Sequence, residues 1–337
     1  MDNATAVIEA LPVPAVLIGR DERVIVANRP ATQLFGAEMT GRHHGLSLRQ
    51  PALLEAIARK LRGGEPEEVR HLIPGPSHEV VHRVTVAPVV MGVLCTFLDL
   101  SEQEQIGQMR RDFVANVSHE LRTPLTALLG FIETLRGPAR DDPAARDRFL
   151  TIMGREAERM NRLVRDLLHL SRVEAQERVR PTERLDLAAA IRASVTALRQ
   201  VADEARVAIE VEGADQPVEV PADADQIQQV LNNLIENAVK YGGAGGRVVV
   251  TLDRAPGPKG RMARIVVRDF GEGIEQIHLG RLTERFYRVD GHRSREKGGT
   301  GLGLAIVKHI VNRHRGRLTI DSQRGQGSSF TVLLPES

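Results

Sequence analysis

The sequence is poor in aromatic side chains and in cysteine. It has no Trp, and aromatic residues make up 3% of its 337 positions, so the stacking surfaces that bind single-stranded nucleic acid are not expected. The single cysteine, Cys95, excludes an internal disulfide and a metal site built from several thiolates. Lys and Arg total 46 against 44 for Asp and Glu, without the basic excess of a nucleic-acid-binding protein. Nucleic acid is therefore not an expected partner.

Long hydrophobic runs are also missing. The first residues, MDNATAVIEALPVP, lack the basic stretch and apolar run of a signal peptide. The most apolar segment, residues 84–98, contains Pro88 and Gly92 and is shorter than the roughly 20 residues of a membrane-spanning helix. Its β-branched residues predict two buried strands joined by a turn. We expect a cytoplasmic protein with no membrane segment in this chain, which leaves open a segment upstream of residue 1.

Residues 1–100 predict a small α+β domain. Short apolar runs alternate with polar turns, so that 14–19 and 23–28 predict a hairpin around Arg20–Glu22, and 53–61 predict a helix. This order of elements, ending where Asp99 leads into a long helix, resembles a PAS sensor domain. None of the histidines in this region has the spacing of metal ligands on a helix. We interpret them as surface residues: His43, His44, His71, His78 and His82.

Residues 101–179 carry the seven-residue repeat of two packed helices. The apolar rows of the first helix are Val114, Leu121, Leu128 and Leu135, and Val117, Pro124 and Phe131. Those of the second are Met153, Met160 and Leu167, and Phe149, Leu163 and Leu170, with Glu156 as a polar interruption. Residues 137–143 separate the helices and contain one Gly and two Pro. Because one hairpin leaves part of its apolar surface uncovered, we expect two copies to pair into a four-helix bundle, as a homodimer.

Residues 180–337 predict an α/β domain in which helices alternate with strands. The predicted helices span 187–205, 224–241 and 300–314. The predicted strands span 206–212, 246–253, 263–270, 316–322 and 328–335.

His119 falls on the outer face of the first helix, away from both apolar rows. Glu120 is its neighbour, and Thr123 lies one turn later on the same face as His119. A carboxylate that holds the Nδ1 proton leaves Nε2 as a neutral nucleophile, which suits phosphoryl transfer. Pro124 removes one backbone hydrogen bond and predicts a bend just beyond the histidine.

Residues 113–125, FVANVSHELRTPL, closely resemble the H-box of bacterial sensor histidine kinases. The resemblance implies that His119 accepts the γ-phosphoryl group of ATP and that Glu120 is its acid/base partner. It implies that Thr123 positions water when the partner, a separate response regulator, is dephosphorylated.

Three further clusters predict a nucleotide site. Asn233 and Asn237 lie four residues apart on one helix face, and amide oxygens suit Mg²⁺. Asp269 ends a strand in the pattern DxGxG, where its carboxylate can accept a hydrogen bond from the adenine amino group while the glycines admit the base. The glycines of 298–303 precede a helix, whose N-terminus can bind phosphate.

These clusters resemble, in the family's order, the N, G1, F and G2 boxes of the histidine-kinase ATP-binding domain, at residues 231–242, 269–274, 284–290 and 298–307. The implied cofactors are ATP and Mg²⁺. The resemblance implies that Asn237, assisted by Asn233, holds Mg²⁺ and that Asp269 recognises adenine. The glycines that would shape the pocket are Gly271, Gly273, Gly299, Gly301 and Gly303.

Weaker implications of the same resemblance concern the edge of the site. Lys240, Tyr241 and Arg288 are implied phosphate or nucleotide contacts, and residues 290–298 would form a mobile lid. Glu236 departs from the family pattern, in which another polar residue is common, and it brings a negative charge close to the metal region.

The sequence therefore predicts a dimeric sensor histidine kinase with a PAS-like domain (1–100), a dimerisation and phosphotransfer hairpin (101–179) and an ATP-binding α/β sandwich (180–337). Dephosphorylation of the same regulator is an expected second activity. One alternative is an ATPase of the wider superfamily that uses ATP as a conformational clamp. The helix that carries His119 argues against this alternative. The other is a catalytically idle scaffold, although His119, Asn237 and Asp269 are all present.

Overall fold

The chain forms two compact units that meet between Ala115 and Asn116. Its computed structural model describes residues 3–74, 79–177, 179–257, 260–289 and 299–337. His78 and the expected lid, 290–298, lie outside the described residues.

The first unit is built on a five-stranded antiparallel sheet in the order β2-β1-β5-β4-β3. Its elements are α1 (Asn3–Glu9), β1 (Ala15–Gly19), β2 (Val24–Ala27), α2 (Arg29–Phe35), α3 (Pro51–Lys60), β3 (Glu67–Pro74), β4 (Glu79–Val89) and β5 (Gly92–Asp99). The predicted hairpin, the predicted helix and the predicted strand pair within 84–98 are confirmed. Pro88 pairs with Val93 near the end of β4 and does not interrupt that strand.

One face of this sheet carries the main apolar core. Along β4 the buried residues alternate with half-exposed ones, as expected for a strand with one covered face. The core joins this face to α2 and α3 through buried side chains that include Val84, Val86, Phe97, Leu53 and Ile57.

Three histidines lie in this interior, so the prediction that they are surface residues is wrong. His44, His71 and His82 are only 4–5% exposed. His71 and His82 face each other across β3 and β4, and the His71 ring lies 5.9 Å from the Phe97 ring, centroid to centroid. Burial lowers the pKa of His71, and the neighbouring His82 lowers it further. The misinterpretation arose because β3, which buries His71, was not predicted.

Asn28 joins the first turn of α2 to the strands beside it. This fully buried side chain accepts hydrogen bonds through Oδ1 from the backbone N–H of Ala15 (2.9 Å) and Ala31 (3.0 Å). Its Nδ2 donates to the carbonyls of Leu11 (3.2 Å) and Val13 (2.8 Å). One amide thus caps a helix and satisfies buried backbone groups that would otherwise lack partners.

The second unit contains most of a long helical hairpin. Helix α4 (Ser101–Arg136) crosses the boundary between the units, and α5 (Pro143–Gln176) returns after the predicted break. Asp142 caps α5 by accepting from Ala145 N–H at 3.0 Å. The rings of Phe131 and Phe149 stack across the hairpin at 5.3 Å. Helix α4 continues through Pro124.

The remainder of the second unit is a two-layer α/β fold. Its elements are β6 (Arg184–Asp186), α6 (Leu187–Glu204), β7 (Ala208–Glu212), β8 (Glu219–Pro221), α7 (Ala224–Gly242), β9 (Arg247–Gly257), β10 (Gly260–Asp269), α8 (Gln276–Leu279), α9 (Gly303–Arg313), β11 (Arg317–Gln323) and β12 (Gly327–Pro335). The main sheet has the order β11-β12-β10-β9-β7, parallel between β7 and β9 and otherwise antiparallel. The three helices and five strands predicted from the sequence are confirmed, with end shifts of a few residues.

One face of helix α7 is buried in the core, and this packing fixes the positions of the polar residues between the buried ones. Its buried residues recur every three or four positions and include Ile227, Val230, Leu231, Leu234 and Ile235, which is the pattern of a helix packed on a core. Asn233 and Asn237 lie between these positions and are half-buried. Among the helices of the described ranges, none has the length and apolar character needed to cross a bilayer.

We predict that Asn28→Ala destabilises the first unit by about 3 kcal/mol, because it removes a helix cap and leaves several buried backbone groups unpaired. The measurement is chemical denaturation followed by circular dichroism. Gln33→Ala, at an exposed position of α2, is the matched control and should change stability by less than about 0.5 kcal/mol. Equal stability of the two variants would contradict the role of Asn28.

Candidate functional site

His119 lies on the exposed side of α4, as predicted. Thr123, one turn later, is also exposed, and its Oγ1 donates a hydrogen bond to the His119 carbonyl at 3.2 Å. The helix therefore presents an imidazole and a hydroxyl to solvent side by side.

Glu120 connects three parts of the second unit. Its Oε2 accepts a hydrogen bond from Arg159 of α5 at 2.7 Å and one from Arg288 at 3.3 Å. Both arginines are largely buried, with side chains 13% and 7% exposed. Arg159 also pairs with Glu156 at 3.6 Å, which accounts for the polar interruption in the predicted apolar row. In this conformation the carboxylate expected to assist His119 is engaged by two guanidinium groups.

Further along α5, acidic side chains contact the α/β fold. Asp166 Oδ2 accepts from Thr300 Oγ1 at 2.7 Å. Glu174 accepts from Arg285 at 2.6 Å, and Glu177 lies 3.1 Å from Nδ1 of His309 on α9. Asp166 and Glu174 lie on α5, and Glu177 directly follows it. These contacts place the hairpin directly against the loop and helix that contain the predicted phosphate-binding glycines.

Asp269 ends β10 and is 4% exposed. Its Oδ1 accepts backbone N–H hydrogen bonds from Gly271 at 3.0 Å and from Ser328 at 3.2 Å. Burial raises the pKa of this carboxyl above its usual value, and the two backbone bonds partly oppose that rise. The carboxylate is thus fixed in orientation before any ligand binds.

The glycines near Asp269 permit close backbone packing. A Cβ on Gly271 would lie 2.6 Å from the Tyr241 carbonyl oxygen, so only glycine lets the strand end approach the end of α7. Gly301 has φ +73°, and a Cβ there would lie 2.9 Å from the Phe286 backbone. Gly273 follows in the same turn as Gly271, and Gly299 is half-buried at the start of the glycine-rich loop.

The amide side chains of α7 lie beside the start of α9. A Cβ on Gly303 would lie 3.3 Å from Asn233 Oδ1. Within the described part of the chain, the buried Nδ2 of Asn233 has no hydrogen-bond partner, which fits a group awaiting a polar ligand. Asn237 lies one turn further along α7. Two amide oxygens are a suitable protein contribution to Mg²⁺, which is usually held by one or two side chains together with phosphates and water.

The remaining predicted contacts take different places. Lys240 forms an ion pair with Glu236 at 2.6 Å, so the unusual glutamate has a local partner. The Tyr241 side chain is 44% exposed. Arg288 contacts Glu120 of the hairpin. The sequence-based prediction missed Arg159, Asp166 and Thr300. Charged residues near the apolar rows of α5 were a signal that this helix contacts the α/β fold as well as α4.

Two family models match the chain from residue 109 onward. Residues 109–176 match the His Kinase A (phospho-acceptor) domain. Residues 222–337 match the histidine kinase-, DNA gyrase B-, and HSP90-like ATPase family. His119 and Asp269 fall within these two ranges, respectively.

Characterised relatives agree with this assignment. The sensor histidine kinase WalK of Bacillus subtilis is 39% identical over 244 residues, which is 72% of this chain and 39% of WalK. The histidine kinase AdeS of Acinetobacter baumannii has a TM-score of 0.51 and 28% identity over 65% of this chain and 98% of the AdeS chain. The histidine kinase ThkA, solved in complex with the response regulator TrrA, shares the fold with a TM-score of 0.52 and 21% identity over 98% of both chains.

The chain spans about two fifths of the length of WalK. Within that span it has both the phospho-acceptor and the ATPase domain, in the same order along the chain as their motifs were predicted. The chain belongs to the family of two-component sensor histidine kinases.

Proposed function

We propose that this chain transfers the γ-phosphoryl group of ATP to His119 and then to an aspartate of a separate response regulator. The observation that carries the proposal is the solvent-exposed His119 within a phospho-acceptor domain that is followed, in the same chain, by an ATPase domain. The wider ATPase superfamily also contains clamp-type enzymes, but a clamp has no need of an exposed histidine beside Glu120 and Thr123.

The nucleotide would be held by groups whose positions are already fixed. Asp269 would accept a hydrogen bond from the adenine amino group, because its carboxylate is oriented by the backbone N–H groups of Gly271 and Ser328. Asn233 and Asn237 would hold Mg²⁺, which when bound neutralises phosphate charge. The glycine-rich loop and the N-terminus of α9 would receive the phosphates.

The transfer itself is a displacement at phosphorus. The lone pair of His119 Nε2 forms a bond to the γ-phosphorus while the bond to the β,γ-bridging oxygen breaks and ADP leaves with those electrons. Glu120 would hold the Nδ1 proton of the ring, which keeps Nε2 neutral before attack and stabilises the positive charge that develops on the ring. For this role Glu120 must exchange at least part of its contact with Arg159 and Arg288 for one with His119.

The second step uses the exposed face of α4. Phosphohistidine would pass its phosphoryl group to a carboxylate of the regulator, and Thr123 would orient a water molecule when that acyl phosphate is hydrolysed. The solved complex of ThkA with TrrA supports a response regulator as the class of partner. The exposure of both His119 and Thr123 fits access by a second protein.

The rest of the chain would provide signal input and dimerisation. The strand order of the first unit, 2-1-5-4-3, with helices inserted between its second and third strands, supports a PAS-like domain over residues 1–100. The hairpin of 101–179 leaves apolar side chains exposed on both helices: Leu125, Leu129, Ile132, Leu150, Val164 and Leu168. A second copy would cover this surface as a four-helix bundle, and residues 180–337 would form the ATP-binding domain.

We predict that His119→Gln abolishes autophosphorylation, because glutamine keeps the polarity and approximate size of the side chain but has no nucleophilic nitrogen. The measurement is incorporation of label from γ-labelled ATP, with acid-labile and alkali-stable label as the signature of phosphohistidine. His169→Gln, on α5, serves as the matched histidine control and should retain labelling. Acid-labile label persisting on the His119 variant would disprove the assignment.

We predict that Thr123→Ala leaves autophosphorylation within about twofold of wild type but slows dephosphorylation of the regulator by roughly tenfold or more, the usual size of a lost positioning group. Thr123→Ser retains the hydroxyl and should restore most of the rate. The measurement is loss of label from the phosphorylated regulator in the presence of each variant. A phosphatase rate unchanged in Thr123→Ala would remove Thr123 from the mechanism.

We predict that Asp269→Asn weakens nucleotide binding by roughly 10–100-fold, the effect of losing a hydrogen bond to a charged group. Oδ1 of the new amide would still accept from Gly271 and Ser328, so its NH₂ would face the adenine amino group, donor against donor. Titration calorimetry with a non-hydrolysable ATP analogue measures the effect, and Asp253→Asn, at a half-exposed position of β9 where the carboxylate pairs with Arg264, is the control.

The same variant should lack the part of the pH dependence of stability that Asp269 causes. Because burial raises the pKa of Asp269, the folded protein binds this proton more tightly than the unfolded chain, and stability is lost as pH rises from the ordinary value of 3.8 through the raised one. Asparagine has no such loss. The stability difference between variant and wild type should therefore grow as pH rises from 3.8 through the raised pKa, and a difference independent of pH would contradict a raised pKa.

A further inference from the structure

The glycine-rich loop before α9 is in contact with the phosphoacceptor hairpin. Thr300 lies in this loop between Gly299 and Gly301, and its Oγ1 donates to Asp166 Oδ2 of α5 at 2.7 Å. The same Oγ1 accepts the N–H of Leu302 at 3.3 Å. The Thr300 hydroxyl is thus already bonded to a carboxylate of the hairpin. Under the proposed function, the same loop binds the nucleotide phosphates.

The surroundings of this contact are enclosed and charged. Thr300 lines a small pocket together with Glu120 and Pro124 of α4 and Arg159 of α5. Burial raises the pKa of the Asp166 carboxyl, and the negative charge of Glu236 on α7 also raises it, whereas the hydrogen bond from Thr300 and the nearby His169 and Arg165 lower it. The hairpin therefore holds a half-buried carboxylate close to the helix that carries the two asparagines.

A carboxylate and a nucleotide phosphate have the same chemistry toward this loop. Both are anions with several acceptor oxygens, and both are favoured by the amide N–H groups and positive dipole end at a helix N-terminus. A threonine hydroxyl has one hydrogen to donate. Asp166 and a phosphate oxygen cannot both receive it, and their negative charges repel each other across the same short distance.

We propose that Asp166 acts as a built-in phosphate mimic, which occupies Thr300 in the glycine-rich loop until nucleotide displaces it. Nucleotide binding and release of this hairpin contact are then a single coupled event. The inference rests on the proposed function. Without nucleotide, the contact would hold the glycine-rich loop against the hairpin, and bound nucleotide would release the loop so that the ATPase domain can approach His119.

Competition of this kind has a thermodynamic signature. The apparent nucleotide affinity equals the intrinsic affinity multiplied by the fraction of molecules in which Asp166 does not occupy the loop. Removing Asp166 therefore increases affinity, although the residue removed lies outside the ATPase domain. Thr300 has partners in both states, so its substitution reduces nucleotide affinity strongly only when Asp166 is already absent.

The test is a double-mutant cycle on the full chain, with the affinity for the Mg²⁺ complex of a non-hydrolysable ATP analogue measured by titration calorimetry. Asp166→Ala should bind roughly three- to tenfold more tightly than wild type, the range expected when one intramolecular hydrogen bond of ordinary net strength no longer competes with the ligand. Thr300→Val should change affinity by less than about twofold in wild type but weaken binding roughly three- to tenfold in the Asp166→Ala background.

Two further variants exclude trivial explanations. Asp166→Asn keeps the volume of the side chain while removing its charge, and it should also bind more tightly than wild type. Glu158→Gln removes an exposed acidic group of the same helix and should leave affinity unchanged. Thermal unfolding of each variant verifies that the second unit is intact.

The outcomes separate the inference from the proposed function. Unchanged or weaker nucleotide binding by Asp166→Ala and Asp166→Asn, or purely additive effects of the Asp166 and Thr300 substitutions, would overturn the phosphate-mimic role while leaving the kinase proposal standing. If neither wild type nor any variant bound nucleotide, the proposed function would fail and the inference with it.

Discussion

The arrangement of the second unit depends on the two ion pairs that the Glu120 carboxylate forms. One oxygen joins the phosphoacceptor helix to Arg159 of α5 and to Arg288 of the α/β fold. Largely buried ion pairs are costly to break from one side, because the partner left behind is a desolvated charge. Both helices of the hairpin and the ATPase domain are thus joined at the residue that follows His119.

The residues proposed to bind nucleotide are positioned by packing and by backbone hydrogen bonds, not by ion pairs. Helix α7 buries one face against the sheet and leaves Asn233 and Asn237 beside the start of α9. Asp269 is fixed by two backbone N–H groups at the end of β10. These residues are preorganised, whereas Glu120 and Asp166 are engaged elsewhere. Under the proposed function, preorganised nucleotide-binding residues would thus be attached to a His119 helix whose Glu120 is paired elsewhere, and the step between the two would be an exchange of polar contacts.

Much of the fold was predictable from the sequence wherever apolar residues recur at regular spacing and Gly or Pro residues mark the ends of elements. The helical hairpin, its break before Pro143 and the alternation of helices and strands after residue 180 were all predicted, because apolar spacing directly reports one buried face. The burial of His71 and His82 was not, because it depends on pairing between β3 and β4. The contacts of Glu120 with Arg288 and of Asp166 with Thr300 join residues more than a hundred positions apart, and no local pattern specifies which arginine or hydroxyl a carboxylate will meet.

The central claim is that this chain carries a phosphoryl group on the imidazole of His119. Peptide mapping of the wild-type protein after incubation with Mg²⁺ and ATP, performed under alkaline conditions that preserve phosphohistidine, tests it most directly. The account predicts a single major phosphopeptide containing His119, with the modification on the ring nitrogen. Phosphate found only on another residue, or no phosphopeptide from a sample that demonstrably binds nucleotide, would contradict it.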